Sequence, residues 1–235
     1  MANRAIQSGM KARRNSSVPQ AATRMRLKRA PVEERLVFVD IELAPVRRRR
    51  AILQIAAVAV SRSLMELDSF EAKIRLDESR IVPSMVPNRH FDLRLWREEA
   101  RSPKAVACDF ARFLTRHASA VVPGADGRPL IVAQLVAHNA EFDGVFLRDW
   151  FERLGLFFPA SYRIFCTLHR AMWYFHEDRA MMPPRDFKLG TLCRHFGVPF
   201  NDYEAHDALT DVRATVELYR RMTMLGAARM AQSLN

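Results

Sequence analysis

No stretch of this 235-residue chain reaches the roughly 18 consecutive apolar residues that a membrane-spanning helix needs. The best apolar run, 51–60, is far shorter and contains Gln54, so it reads as a buried strand. Cysteine is scarce. Cys108, Cys166 and Cys193 show neither a C-x-x-C pair nor metal-ligand spacing, which argues against a disulfide framework and points to a reducing compartment. No internal repeat is present, so a solenoid is excluded. Acids are missing altogether from residues 1–30, which hold eight Lys or Arg and supply most of the formal charge of +11.

Such an arm is expected of a protein that meets a polyanion. Residues 1–32 read as a disordered basic tail, with a mitochondrial transit peptide as the other reading, since Arg and Ser abound and the apolar centre of a secretory signal is lacking. A bacterial-type cytoplasmic location is expected, or a mitochondrial one in a eukaryote. The remainder is apolar enough, at 49% for the whole chain, to bury a core. It reads as a single domain over 33–223 followed by a short tail, 224–235.

The apolar pattern orders this domain. Residues 36–43, 51–61 and 67–76 read as three strands of an antiparallel meander; the first two are apolar on both faces, and the third has one wet face. Residues 77–100, rich in Pro and Arg, read as irregular. An amphipathic helix is expected over 103–118, with Val106, Phe110, Phe113 and Leu114 on its buried side, and a turn at 123–127. A strand over 130–136 leads into a helix that ends near Gly155. A further strand at 161–167, helices at 168–176 and 189–196, and a last helix over 207–222 complete the reading. The last helix has Asp207 as its N-cap and Leu209, Val212, Val216 and Tyr219 on its buried stripe. Three meandering strands followed by alternating helix and strand make an α/β domain, a mixed sheet with helices on both faces.

The chemistry lies in the acids that interrupt this pattern. Asp40 and Glu42, two apart on a strand, point to the same face. Alone they read more simply as a strand end emerging into water. Asp143 follows a strand-to-helix junction, where a first-turn Asp also suits the helix dipole. Asp211 falls one residue from the buried stripe of the last helix, and His206 lies just before it. Four carboxylates from three separated segments and one His are the inventory of a two-metal phosphodiesterase, in which cations about 3.5–4 Å apart hold the scissile phosphate. A neutral His, with its pKa near 6.5, could take a proton from the attacking water.

The segments VDIEL (39–43), HNAEFD (138–143) and HDALTD (206–211) resemble the three exonuclease motifs of the DEDDh family in order and rough spacing. The resemblance runs from about residue 34 to 223 and takes in Phe165-Cys166-Thr167 and Lys188-Leu189-Gly190-Thr191-Leu192. His206, five positions before Asp211, distinguishes the DEDDh from the DEDDy branch. The resemblance implies a ribonuclease-H-like fold with a mixed five-stranded sheet flanked by helices. It also implies Asp40, Glu42, Asp143 and Asp211 as catalytic ligands of two divalent cations, Mg²⁺ or Mn²⁺, and His206 as the general base. Leu43 and Asn139 would stand beside the terminal nucleotide. Family members commonly continue the first motif with Thr and a Gly-containing turn. Here Leu43-Ala44-Pro45-Val46 and four arginines follow. Arg48, Arg49 and Arg50 are candidate phosphate contacts, or else a solvated hairpin turn.

The expected activity is stepwise removal of nucleoside monophosphates from the 3′ end of single-stranded nucleic acid, DNA favoured. An RNA-trimming exonuclease is the alternative among enzymes, and a non-catalytic basic adaptor the alternative of another class. A polymerase partnership, as for the family's proofreading subunit, has weak support. Phe142, Phe146 and Trp150 are spaced as a helix core, with base stacking as their other use.

Overall fold

Side chains at 36–43 alternate between two apolar layers, and a strand apolar on both faces is stable only when covered on both. In a computed structural model, which describes residues 33–46, 49–76, 92–178, 181–201 and 207–233, this segment is the central strand β1 (Leu36–Val46). It pairs antiparallel with β2 (Arg49–Val60), which pairs antiparallel with β3 (Glu66–Lys73), so the meander stands. Helix α1 (Leu93–Glu99) and helix α2 (Pro103–Arg116) follow, then a separate hairpin of β4 (Ala120–Pro123) and β5 (Pro129–Val132). Strand β6 (Leu135–Ala137) lies parallel to β1 on its other side and leads into α3 (Ala140–Arg153). Strand β7 (Phe165–Cys166) extends the sheet in parallel and passes into α4 (Thr167–Glu177). Helices α5 (Leu189–His195) and α6 (Ala208–Ser233) complete the described chain. The sheet order is β3-β2-β1-β6-β7, the mixed five-stranded sheet expected.

Each face of the sheet has its own core. Val37, Val39, Ile41 and Leu43 of β1 pack with Val106, Phe110 and Leu114 of α2 and Leu147 and Phe151 of α3. Phe38 looks the other way, into a cluster with Val58, Val136, Val212 and Val216, its ring edge-on to Tyr219 at 5.5 Å between centroids. A bulge near Glu42 and Leu43 shifts the register: Glu42 faces Gln54, but Leu43 faces Ile52. The skipped residue, Leu53, leaves the ladder, so Ile52 and Ile55, three apart, both reach the α2–α3 side. Leu53 packs instead with Ala44, Trp96 and Ala100.

Four boundaries depart from the sequence reading. Helix α1 forms inside the stretch expected to be irregular, because Asp92 caps it by accepting from Arg94 N at 2.7 Å and Trp96 is buried against the bulge. The expected strand 130–136 is two strands in two sheets. The chain changes sheet at Ala133, whose N–H donates to the Pro159 carbonyl and whose own carbonyl accepts from Ser161 N. Only Phe165–Cys166 of the expected strand 161–167 pairs with β6. Helix α6 runs on to Ser233, through most of the segment read as a tail, and within it Ala214, Leu218 and Met222 form a second buried stripe against α4 and α5. The basic arm 1–32 lies outside the described residues. Among the described residues no helix is long and apolar enough to cross a membrane.

Phe38 stands under both the central strand and α6 and is fully buried. Phe38→Ala should destabilise the fold by about 3–5 kcal/mol, read from urea unfolding; a loss under about 1 kcal/mol, the range of a well-tolerated core swap, would show that α6 is held by other contacts.

Candidate active site

The alternation that sends Phe38 toward α6 sends Asp40 and Glu42 the same way, two and four residues further along β1. There they meet the start of α6. Asp207 caps that helix, its Oδ1 accepting from Thr210 N at 3.0 Å and its carbonyl from Asp211 N at 2.9 Å. Asp211 is therefore held in the first turn. Asp40, Glu42 and Asp211 each offer a carboxylate oxygen, and these atoms lie within 4.8 Å of one another. Asp143 enters from the first turn of α3. The junction from β6 into α3 is made by Asn139 in the left-handed region (φ 66°, ψ 50°), a conformation that Asn tolerates better than most residues. All four carboxylates line one cleft of about 790 Å³, in which Glu42, Asp143 and Asp211 are buried.

Acids this close disfavour one another's charge. Glu42 is pushed up to about 8, first by loss of water and then by Asp211, Asp207 and Asp143. Asp40 is raised well above the usual carboxylate range by loss of water and then by Asp143, Glu42, Asp211 and Asp207. Asp143 rises to about 7 through burial, against hydrogen bonds from its own backbone and that of Ile41. A cluster of hard oxygen donors with suppressed ionisation suits a divalent cation, which supplies the positive charge the cleft floor lacks.

The rim has the opposite sign. Arg50, Arg185, Lys188 and Arg194 line the same cleft, together with apolar Leu43, Phe142, Phe187, Leu189 and Phe200. His138 ties one wall in place. Its Nε2 lies 3.0 Å from the Phe187 carbonyl and its Nδ1 2.9 Å from Thr167 Oγ1, and burial holds its pKa below the ordinary value. A neutral ring then donates to the carbonyl and accepts from the hydroxyl.

The structure thus gathers Asp40, Glu42, Asp143, Asp211, Leu43, Asn139 and Arg50 into one cleft. His206 and Arg48 lie outside the described residues, and of Arg49 only the backbone is described, paired with Val46. Trp150 and Phe151 are core residues, while Phe142 both packs on Phe146 and lines the cleft. Sequence reasoning missed Arg185, Arg194 and the wall around Phe187, because no spacing connects them to the acids. The one available signal was Lys188, at the head of a segment already included in the family resemblance.

Residues 130–219 match the family described as Exonuclease (RNase T). A Mycobacterium tuberculosis protein named as a bifunctional exonuclease/endonuclease is 38% identical over 84 residues, which are 36% of this chain and 12% of that protein. The zinc-bound complex of E. coli exonuclease I with single-stranded DNA superposes with a TM-score of 0.64 at 18% identity, over 86% of this chain and 43% of its own. A 3′-exonuclease that recognises the histone mRNA stem-loop gives 0.59 at 12% identity, over 81% of this chain and 63% of its own. The chain therefore spans less than half of exonuclease I and a small fraction of the mycobacterial protein. The fold is the ribonuclease-H-like exonuclease fold.

The raised carboxyls set the sign of a pH effect. Unfolded, these groups lose their protons near pH 4; folded, Asp143 and Glu42 keep theirs to about 7 and about 8. Between those limits the native state binds more protons, so raising the pH favours unfolding. In EDTA, the stability of wild type relative to Glu42→Gln should fall as pH rises through this window, and Mg²⁺ or Mn²⁺ should restore it. A difference that is flat with pH in thermal unfolding would show that the acids are not crowded.

Proposed function

We propose that this chain carries a DEDDh-type exonuclease domain, a reading supported by the family match and the shared fold, and that it hydrolyses phosphodiester bonds one at a time from the 3′ end of single-stranded nucleic acid and releases nucleoside monophosphates. The observation that carries this reading is the convergence of Asp40, Glu42, Asp143 and Asp211 on the floor of one cleft whose rim carries four cations. An acidic floor alone would repel a polyanion. With cations above it, the cleft holds the phosphate backbone at the rim and presents one phosphate to the floor.

Asp40, Glu42, Asp143 and Asp211 would hold two divalent cations, Mg²⁺ or Mn²⁺, and their raised pKa values make the site take up metal as protons leave. When bound, such ions supply Lewis acidity at the phosphoryl oxygens and lower the pKa of the attacking water. The chain's own groups do the rest. Arg50, Arg185, Lys188 and Arg194 neutralise phosphates, while Leu43 and Phe142 offer apolar surface to the terminal sugar and base. His206, the general base that the motif resemblance implies, accepts the proton of the attacking water. The water oxygen bonds to phosphorus as the bond to the 3′ oxygen of the preceding nucleotide breaks, and that oxygen takes up a proton from solvent. A shortened strand with a new 3′-hydroxyl and a free 5′-monophosphate result. The fold likeness to exonuclease I solved with single-stranded DNA supports DNA as the first substrate to try. The same fold in a histone-mRNA exonuclease makes RNA the necessary second arm.

5′-labelled single-stranded DNA and RNA of one sequence, with Mg²⁺, Mn²⁺ or EDTA, test the proposal directly. A ladder shortening from the 3′ end, metal-dependent and lost in Asp211→Asn, is the expected result; intact substrate bound but uncut would make the chain a basic adaptor. His206→Ala should lower kcat by about 10²–10⁴-fold, as for a general base. A rate unchanged by that substitution removes His206 from the chemistry.

A further inference from the structure

Gln54 is a buried neutral side chain set among acids. It lies on β2 opposite Glu42 of β1, and the register turns both side chains toward α6. Its amide nitrogen donates to Glu71 Oε1 at 2.8 Å and, more weakly, to Asp207 Oδ2 at 3.4 Å. One amide group has two hydrogens, so both bonds are made at once. Asp207 is the residue that caps α6, with its other oxygen on Thr210 N and its carbonyl on Asp211 N. Glu71 on β3 fixes the amide, the amide fixes the cap, and the cap begins the turn that carries Asp211.

We propose that Gln54 is a positioning residue: by tying the cap of α6 to the sheet, it sets the approach of Asp211 to Asp40 and Glu42, and with it the affinity of the site for a divalent cation. The assignment rests on the exonuclease reading and adds a residue outside its motifs. The side chain must donate and carry no charge. A third carboxylate beside Glu71 and Asp207 would add repulsion, and an apolar residue would leave two acids facing each other with no donor between them.

The test is Mn²⁺ binding without nucleic acid, by calorimetry or electron paramagnetic resonance, on wild type, Gln54→Met, Asp207→Ser and the double variant. Serine still caps α6 but is too short to reach Gln54. Each single substitution should weaken Mn²⁺ binding by roughly 10–100-fold, the usual effect of removing a partner that orients a ligand. The double variant should be no weaker than the worse single one, since both cut one connection. With oligonucleotide, kcat should fall while KM holds within about twofold, because the rim is untouched. Singles that bind Mn²⁺ as wild type does, or losses that add in full, would overturn the role of Gln54. If Gln54→Met fails to fold, Glu71→Ala decides, since it frees the amide from the sheet and leaves the acids of the cleft in place: it must weaken Mn²⁺ binding. A wild-type protein that binds no Mn²⁺ and cuts no strand would remove the exonuclease reading, whereas wild-type binding beside unaffected variants discards only the Gln54 assignment.

Discussion

Like charges brought together repel, and everything around the cleft answers to that constraint. Four carboxylates share its floor, and none can be moved away without losing the set. The repulsion is borne because the acids sit on rigid elements that have other reasons to be where they are. Asp40 and Glu42 belong to the central strand, which is locked by neighbours on both sides. Asp143 starts a helix whose Leu147 and Phe151 are core residues on one face of the sheet, and Asp211 starts a helix whose Val212 and Val216 are core residues on the other. Hydrophobic burial on two faces therefore holds together at the sheet end what electrostatics would push apart.

The same arrangement explains the division of charge. A cleft with only the floor would exclude any phosphate, and one with only the rim would hold a strand without acting on it. Arg185, Lys188 and Arg194 come from a segment beyond the second motif, while Arg50 comes from β2. The wall that carries them is fastened to the end of β6 through His138 and Thr167. Floor and rim are thus separate pieces of chain, joined by these polar contacts and by the apolar packing of α5 and Phe187 on α4 and α6.

Much of this was legible beforehand, for identifiable reasons. The run along 36–43, apolar on both faces, announced a strand covered on both sides, and its interruption by Asp40 and Glu42 announced a site. The four acids were recognisable as a set, through their chemistry and their resemblance to known motifs. What escaped was whatever depends on three-dimensional accommodation. The bulge at Leu53 leaves no mark on the apolar run 51–60, yet it lets Ile52 and Ile55 share a face. The division of 130–136 between two sheets depends on contacts with Pro159 and Ser161, far along the chain. Helix α6 carries a second buried stripe whose partners, on α4 and α5, no local period reveals.

The left-handed joint at Asn139 carries a consequence for how this domain can change in length. A helix turns by about 100° per residue, so α3 acts as a dial, and Asn139 fixes where its zero lies. Insertion or loss of one residue between Ala137 and Asp143 would not merely shift that carboxylate along an axis; it would swing it away from the floor and bring a neighbouring side chain round in its place. The tip of the β4–β5 hairpin, where Gly124 and Gly127 make an exposed turn, is under no such phase requirement. Among relatives of this chain, length should drift freely at the hairpin and stay constant at the joint, because one site counts residues and the other counts degrees.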